Sequence, residues 1–349
     1  MLRNIFKAIP EPDELMPPGE QQGREHSQFA LVRERRFGPL FLTQFLGSFN
    51  DNLFKNALLV FIAFQITTSE ADNGLLINLA AGLFILPFFL FSATAGQLAD
   101  KFEKSSLIRV IKLCEVVIML VAAVALYTRH VPALLAVLFL LGTQAAFFGP
   151  VKYSILPQHL REQELVGGNA LIETGTFVSI LLGTMLGGVL AGRMQGMEWV
   201  AAGVVLVAVA GYLVSRRIPP APAPTPALKI EFNPLRETWR NFVFTRGNRT
   251  VFLSILGISW FWLFGAVYLT QLPQYTRTVL GGNEQVVTLL LTLFSLGIGA
   301  GALLCERLSG HKVEIGLVPF GSIGLTLFGL DLVWAVPAVP AVHDLSAAQ

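Results

Sequence analysis

Asp51 and Lys55 stand one helical turn apart in a long, otherwise apolar stretch at about 37–64. Asp51 lies about 13 residues into it, roughly 20 Å along a helix at about 1.5 Å per residue, which is near the midplane of a bilayer. A charge there costs at least about 2.5–3.5 kcal/mol. Asp51 is therefore expected to face a bundle interior or a watery cavity, with Lys55 partly neutralising it from the same face. Gln44, Ser48, Asp51, Asn52, Lys55 and Asn56 together form a polar stripe at helical spacing. Such a stripe either lines a cavity that contacts a polar group or glues its helix to neighbours through hydrogen bonds. A second candidate pair is Lys152, near the inner end of a fourth apolar stretch just after Gly149-Pro150, and Glu173, at similar depth near the start of a fifth. The two form either a static bridge or a gate that breaks and remakes. Lys112 and Glu115 read as structural charges at the membrane interface.

Other chemistries find no support. The five histidines have no metal-ligand spacing, and no nucleophile–base set appears, so neither a metal site nor an enzyme is expected. No cofactor and no nucleic-acid partner is implied. Cys114 and Cys305 are too few for a disulfide framework and read as small packing residues near the inner ends of apolar segments. Gly183, Gly187, Gly188 and Gly192, with Gly297, Gly299 and Gly301, give two small-residue faces suited to close helix packing. A phosphate-cradling loop would need a preceding strand and a following Lys, and neither is present.

The elements that position these groups follow from composition. Of 349 residues, 53% are hydrophobic and 14% charged, too few charges to cover a water-soluble chain of this length. Nine stretches reach the length a bilayer core requires, at 37–64, 75–98, 106–128, 131–156, 168–192, 196–215, 250–272, 285–306 and 314–336. The polar, Pro-interrupted Met1–Arg36 holds no signal-peptide core. Assigning loops to alternate sides puts 21 Lys and Arg on one side and three (Arg129, Arg193, Arg277) on the other. That split places the N-terminus in the cytoplasm.

Residues 216–249 are the longest polar interruption. They contain Ile218-Pro-Pro-Ala-Pro-Ala-Pro-Thr-Pro-Ala227, expected to be a stiff extended spacer, and then a basic stretch suited to a membrane surface. The expected organisation is a cytoplasmic tail 1–36, six helices over 37–215, the linker 216–249, three helices over 250–336 and an outer-side tail 337–349. An internal repeat supports the division. Asp100-Lys101 follows the second span of the first part and Glu306-Arg307 the second span of the second part, 206 residues later. On this reading a second six-helix half is incomplete: spans 10 to 12 are missing, which is expected of a truncated reading frame or a fragment rather than of a family with nine helices.

The turn Gly96-Gln-Leu-Ala-Asp100-Lys101-Phe-Glu103-Lys104 resembles the major facilitator superfamily signature Gly-x-x-x-Asp-Arg/Lys-x-Gly-Arg/Lys-Lys/Arg, with Glu103 where the pattern has Gly. Further segments resemble one branch of that superfamily, the bacterial lysophospholipid transporters: Gln44-Phe-Leu-Gly-Ser-Phe-Asn-Asp51-Asn52, Phe148-Gly-Pro-Val-Lys152-Tyr-Ser-Ile-Leu156, Gly168-Asn-Ala-Leu-Ile-Glu173 and Leu181-Leu-Gly-Thr-Met-Leu-Gly-Gly188. The resemblance spans 37–336. It implies an all-α polytopic membrane protein of the major facilitator fold, with a six-helix N-terminal half and about three helices of a C-terminal half. It implies lysophospholipid moved by alternating access across the bacterial inner membrane. Gln44, Ser48, Asp51, Asn52, Lys55, Lys152 and Glu173 would line the substrate cavity, and Gly96, Asp100, Lys101, Lys104, Glu306 and Arg307 would act as a conformational latch. Acyltransferase and acyl-ligase domains, fused or separate, are the implied partners. A non-transporting module that anchors such lipid enzymes is the alternative. Span 7, Ile258–Tyr268, has no charge where such transporters can carry one.

Overall fold

A computed structural model of the chain describes residues 28–62, 70–191, 193, 196–231, 233–281, 284–310 and 314–335. The tail residues Arg3, Lys7 and Arg24, the turn residue Lys312 and the 337–349 tail lie outside the described residues. The helices are α1 (Gly38–Phe61), α2 (Glu70–Lys101), α3 (Lys104–Tyr127), α4 (Val131–His159), α5 (Leu165–Ala191), α6 (Gly196–Ser215), α7 (Pro234–Arg246), α8 (Arg249–Thr278), α9 (Glu284–Leu308) and α10 (Leu317–Ala335). A short 3-10 segment, Gln28–Arg33, precedes α1. Eight of them, α2–α6 and α8–α10, are long and apolar enough to cross a membrane. α1 matches them in length, with 24 residues, and carries the polar stripe. The chain is an all-helical polytopic membrane protein, as its composition requires.

α1 packs against α5 and α6, α3 against α4 and α6, and α2 against α4. Two apolar cores result. One, at the end of the bundle that carries the linker, joins Phe37, Leu40, Ile108, Ile111, Phe148 and Ile155. The other, at the far end, joins Leu53, Phe54, Met119, Leu138, Leu141 and Val204. α1, α3 and α4 pass from one core to the other through a layer of polar residues, the buried Asn50, Lys112, Glu115 and Gln144 and the partly buried Asp51.

The small-residue face of α5 is used where it meets α1. A Cβ on Gly183 would stand 2.4 Å from the Phe49 carbonyl oxygen, and one on Gly187 2.5 Å from that of Leu53. The backbones touch there, and only glycine permits it. The other small-residue face behaves differently. Gly299 of α9 meets Thr174 of α5, but Gly297 and Gly301 face open space. Cys114 and Cys305 are exposed, so they are not packing residues.

The Pro-rich segment is not a free spacer. It lies as a strap across the ends of α2, α3 and α4. The Lys104 N–H donates to Ala221 O at 3.0 Å and the Thr225 N–H to Asp100 O at 2.9 Å. Arg109 donates to Ile218 O at 3.2 Å, and Gln158 to Pro222 O at 3.2 Å. Gln97 pairs with the Glu231 backbone in both directions, at 3.1 and 2.7 Å. Proline lacks a donor but keeps a carbonyl that accepts well, and Gln158 uses that of Pro222.

Gly183→Val drives two methyls into the Phe49 carbonyl and is expected to cost about 1–3 kcal/mol. Gly188→Ala, where a Cβ meets nothing within 4 Å, is expected to be neutral. Thermal unfolding of the two variants in detergent checks the pair.

Candidate functional site

The polar layer is organised by Glu115. Lys112 and Glu115 of α3 form an ion pair of 2.6 Å with each side chain 1% exposed. Glu115 Oε2 also accepts from Gln144 of α4 at 3.0 Å, and Oε1 from Asn50 of α1 at 3.4 Å. Asn50 donates in addition to Val204 O of α6 at 3.1 Å. The Lys112 ammonium stands over the Phe148 ring, 5.0 Å from its centroid. Gly47 makes the room, since a Cβ there would lie 2.3 Å from Lys112 Nζ. Four helices thus converge on one buried ion pair. Sequence reasoning placed Lys112 and Glu115 at the membrane interface. They are instead about 12–17 Å into α3 by helical rise and are the centre of the bundle.

Asp51 sits beside this pair. Its Oδ1 is buried and has no hydrogen-bond partner. The charges acting on it are those of Glu115, Lys112 and Lys55, and neither lysine reaches ion-pair distance. Lys55 does not neutralise Asp51 by contact. Its ammonium lies over the Phe84 ring of α2, 5.2 Å from the centroid. A buried polar atom without a partner costs about 1–3 kcal/mol and requires a reason.

The rest of the stripe turns another way. Gln44 donates to Ile172 O at 3.2 Å and accepts from Thr176 at 3.0 Å, while Asn56 donates to Thr184 Oγ1 at 2.9 Å. Asn52 donates to the Ser48 carbonyl of its own helix at 2.7 Å. Gln44 and Asn56 therefore glue α1 to α5, and Asp51 and Lys55 look elsewhere. The expected Lys152–Glu173 pair is not an ion pair. Lys152 lies over the Tyr153 ring, 4.8 Å from its centroid, and the Tyr153 hydroxyl donates to Glu173.

The proposed latch is also redistributed. Gly96 lies inside α2 with open space where its Cβ would be, so it permits no close approach. Asp100 is exposed. Lys101 ends α2, with its ammonium 5.9 Å from the Phe102 ring centroid. The cap is Glu103, the residue that departs from the family pattern. Its carboxylate accepts from Ser105 N–H at 3.0 Å, Ser106 N–H at 2.7 Å and the strap's Ala221 N–H at 2.7 Å. Burial alone would push Glu103 up, but these hydrogen bonds outweigh it and hold the carboxyl at about 2. Lys104 is buried and reaches Pro222 O at 3.5 Å. Glu306 is buried against Gly167 of α5, and Arg307 is exposed. Beside Glu306, Gln28 donates to Leu303 O at 3.4 Å, and Thr174 donates to Gly299 O at 3.1 Å. α9 is thereby fastened to α5 at the linker end.

Among the described residues no group of His, Cys, Asp and Glu is arranged to hold a metal ion. The family model described as Major Facilitator Superfamily matches residues 40–346. The chain is 30% identical over 298 residues to the lysophospholipid transporter LplT of Enterobacter sp. (strain 638), covering 82% of this chain and 70% of that protein. It is 29% identical over 319 residues to LplT of Cronobacter sakazakii, covering 84% of this chain and 76% of that protein. To LplT of Klebsiella pneumoniae (strain 342) it is 32% identical over 274 residues, covering 74% and 63%.

Breaking the buried pair from one side leaves the other charge uncompensated. Glu115→Leu and Lys112→Met are each expected to destabilise by about 3–5 kcal/mol, and the double variant to be more stable than either single. Thermal unfolding in a double-mutant cycle measures this; a double variant as weak as the two losses summed would show the charges to be independent.

Proposed function

The chain belongs to the Major Facilitator Superfamily, and on that premise we propose that it moves lysophospholipid between the leaflets of a bacterial inner membrane by alternating access. The reading is supported most by Asp51, a carboxylate about 20 Å into α1 whose buried oxygen has no partner. Helix packing makes no use of that oxygen. The headgroup of lysophosphatidylethanolamine carries an ammonium and a phosphate on a single-chain lipid. Asp51 would take the ammonium, and Lys55, whose ammonium lies over the Phe84 ring, would take the phosphate. Both interactions are charge-assisted and are strengthened in an apolar surrounding.

The linker end is the cytoplasmic end in this proposal. Lys112 and Lys152 lie inside α3 and α4 and drop out of the loop count, which still leaves 19 Lys and Arg against three. Residues 37–215 act as one six-helix unit, 216–249 connects, and 250–336 supplies helices of a second unit. The α5–α9 contact at Thr174–Gly299 and Gly167–Glu306 closes the cytoplasmic side and must part for release. Lysolipid delivered to the inner leaflet is a substrate for reacylation, so an acyltransferase or acyl ligase, fused or separate, acts downstream.

Asp51→Asn is expected to keep the protein in the membrane with unchanged thermal unfolding. It should cut uptake of labelled lysophosphatidylethanolamine at least about tenfold, as loss of a charged hydrogen bond worth about 1.5–3 kcal/mol requires. Uptake by the otherwise complete transporter reconstituted in vesicles, set against empty vesicles, checks it. Undiminished uptake by a folded variant would make Asp51 a bystander, and loss of fold would make it structural. No flux from the unsubstituted complete transporter would contradict transport itself.

A further inference from the structure

We infer that α7 is a membrane-surface helix that binds anionic phospholipid. The helix is inside out with respect to the protein. It rests on the end of α2, and among its described side chains the buried one is a carboxylate: Glu237 is 2% exposed. Trp239, Phe242 and Val243 recur at i, i+3 and i+4, on the side of the helix opposite Glu237. They point outward, Trp239 at 66% and Val243 at 53% exposure. An apolar stripe turned away from its own protein requires another cover.

The neighbouring span determines that cover. Two residues separate α7 at Arg246 from α8 at Arg249, and α8 is one of the helices long and apolar enough to cross the bilayer. α7 therefore lies at the level where α8 enters the membrane. Phe242 stacks on Trp239 and meets Phe252 of α8 edge-on at 5.8 Å, so the aromatic stripe continues onto the spanning helix. Aromatic residues favour this interfacial level. The charge also fits. From Lys229 to Arg249 there are five basic residues and two acids, Glu231 and Glu237. Both acids are paired, with Arg236 at 3.3 Å and Arg240 at 2.7 Å. Those arginines remain 77% and 58% exposed, with guanidinium donors left over for lipid phosphates. A basic flank on an outward apolar stripe matches an anionic leaflet. Gln97, through Glu231, ties the start of this segment to α2, so lipid bound at α7 bears directly on the strap.

The test uses the full chain with Cys114 and Cys305 replaced and a single nitroxide at Val243→Cys or Asn241→Cys, reconstituted in vesicles of phosphatidylethanolamine and phosphatidylglycerol. Power-saturation measurements are expected to put the label at 243 about 5–10 Å below the headgroup level and the label at 241 in water. Exchanging phosphatidylglycerol for phosphatidylcholine, or the double change Arg236→Gln/Arg240→Gln, should raise the 243 label towards water. Equal water access at 243 and 241 would overturn the proposal. So would a depth indifferent to phosphatidylglycerol. Protection of 243 that persists in detergent, together with the mass of a dimer, would assign the stripe to a second copy and overturn it as well.

Discussion

The buried Lys112–Glu115 pair is the interaction on which the bundle depends. Taking two charges out of water costs several kcal/mol per ion, and mutual attraction offsets this only when the remaining donors and acceptors are satisfied. Here they are. Gln144 and Asn50 occupy both oxygens of Glu115, and the Phe148 ring covers the ammonium of Lys112. The partners come from α1 and α4, and Asn50 reaches on to Val204 of α6, so the pair sets the relative height of α1, α3, α4 and α6. Apolar side chains on smooth helices do not define that height so sharply. The two hydrophobic cores above and below can then close around a fixed polar layer. Asp51 is held in this layer without being used by it.

Two further constraints shape what can move. The strap binds the linker to the ends of α2, α3 and α4 through backbone and side-chain hydrogen bonds, with Glu103 shared between the cap of α3 and the strap. It ties α2, α3 and α4 to one another at this end. The contact between α5 and α9 is different in kind. It is as extensive as the α1–α6 contact and, among the described residues, includes the Thr174–Gly299 hydrogen bond and the buried Glu306 at Gly167. It joins the first six helices to those after the linker, so rigid-body rocking of the two units would have to open it.

The spans were legible because bilayer length and hydropathy act on each helix separately. Asp51 was legible because a midplane charge is costly wherever its helix packs. Partnerships between helices were not, since spacing along one helix does not say which neighbour it meets. The stripe from Gln44 to Asn56 accordingly reads as one surface but serves two: Gln44 and Asn56 bond α5, and Asp51 faces the ion pair. Lys112 and Glu115 were misplaced because charges near the start of an apolar span look like interfacial anchors. Their i, i+3 spacing within a span was the signal, and Gln144 in the middle of α4 was its complement. Glu103 was noted as a departure from a family pattern, yet it is the residue that fastens the turn to the strap. The proline run read as a spacer because its composition gives no hint of which groups will reach its carbonyls.

Transport by alternating access requires the α5–α9 contact to part during the cycle. Double electron–electron resonance between nitroxides at Asn169 and Leu304, both exposed and both near the linker end of that contact, measures this most directly in the reconstituted chain. A single short distance without substrate, joined by a second, longer population when lysophosphatidylethanolamine is added, is the predicted result. One distance, unchanged by substrate, would contradict it.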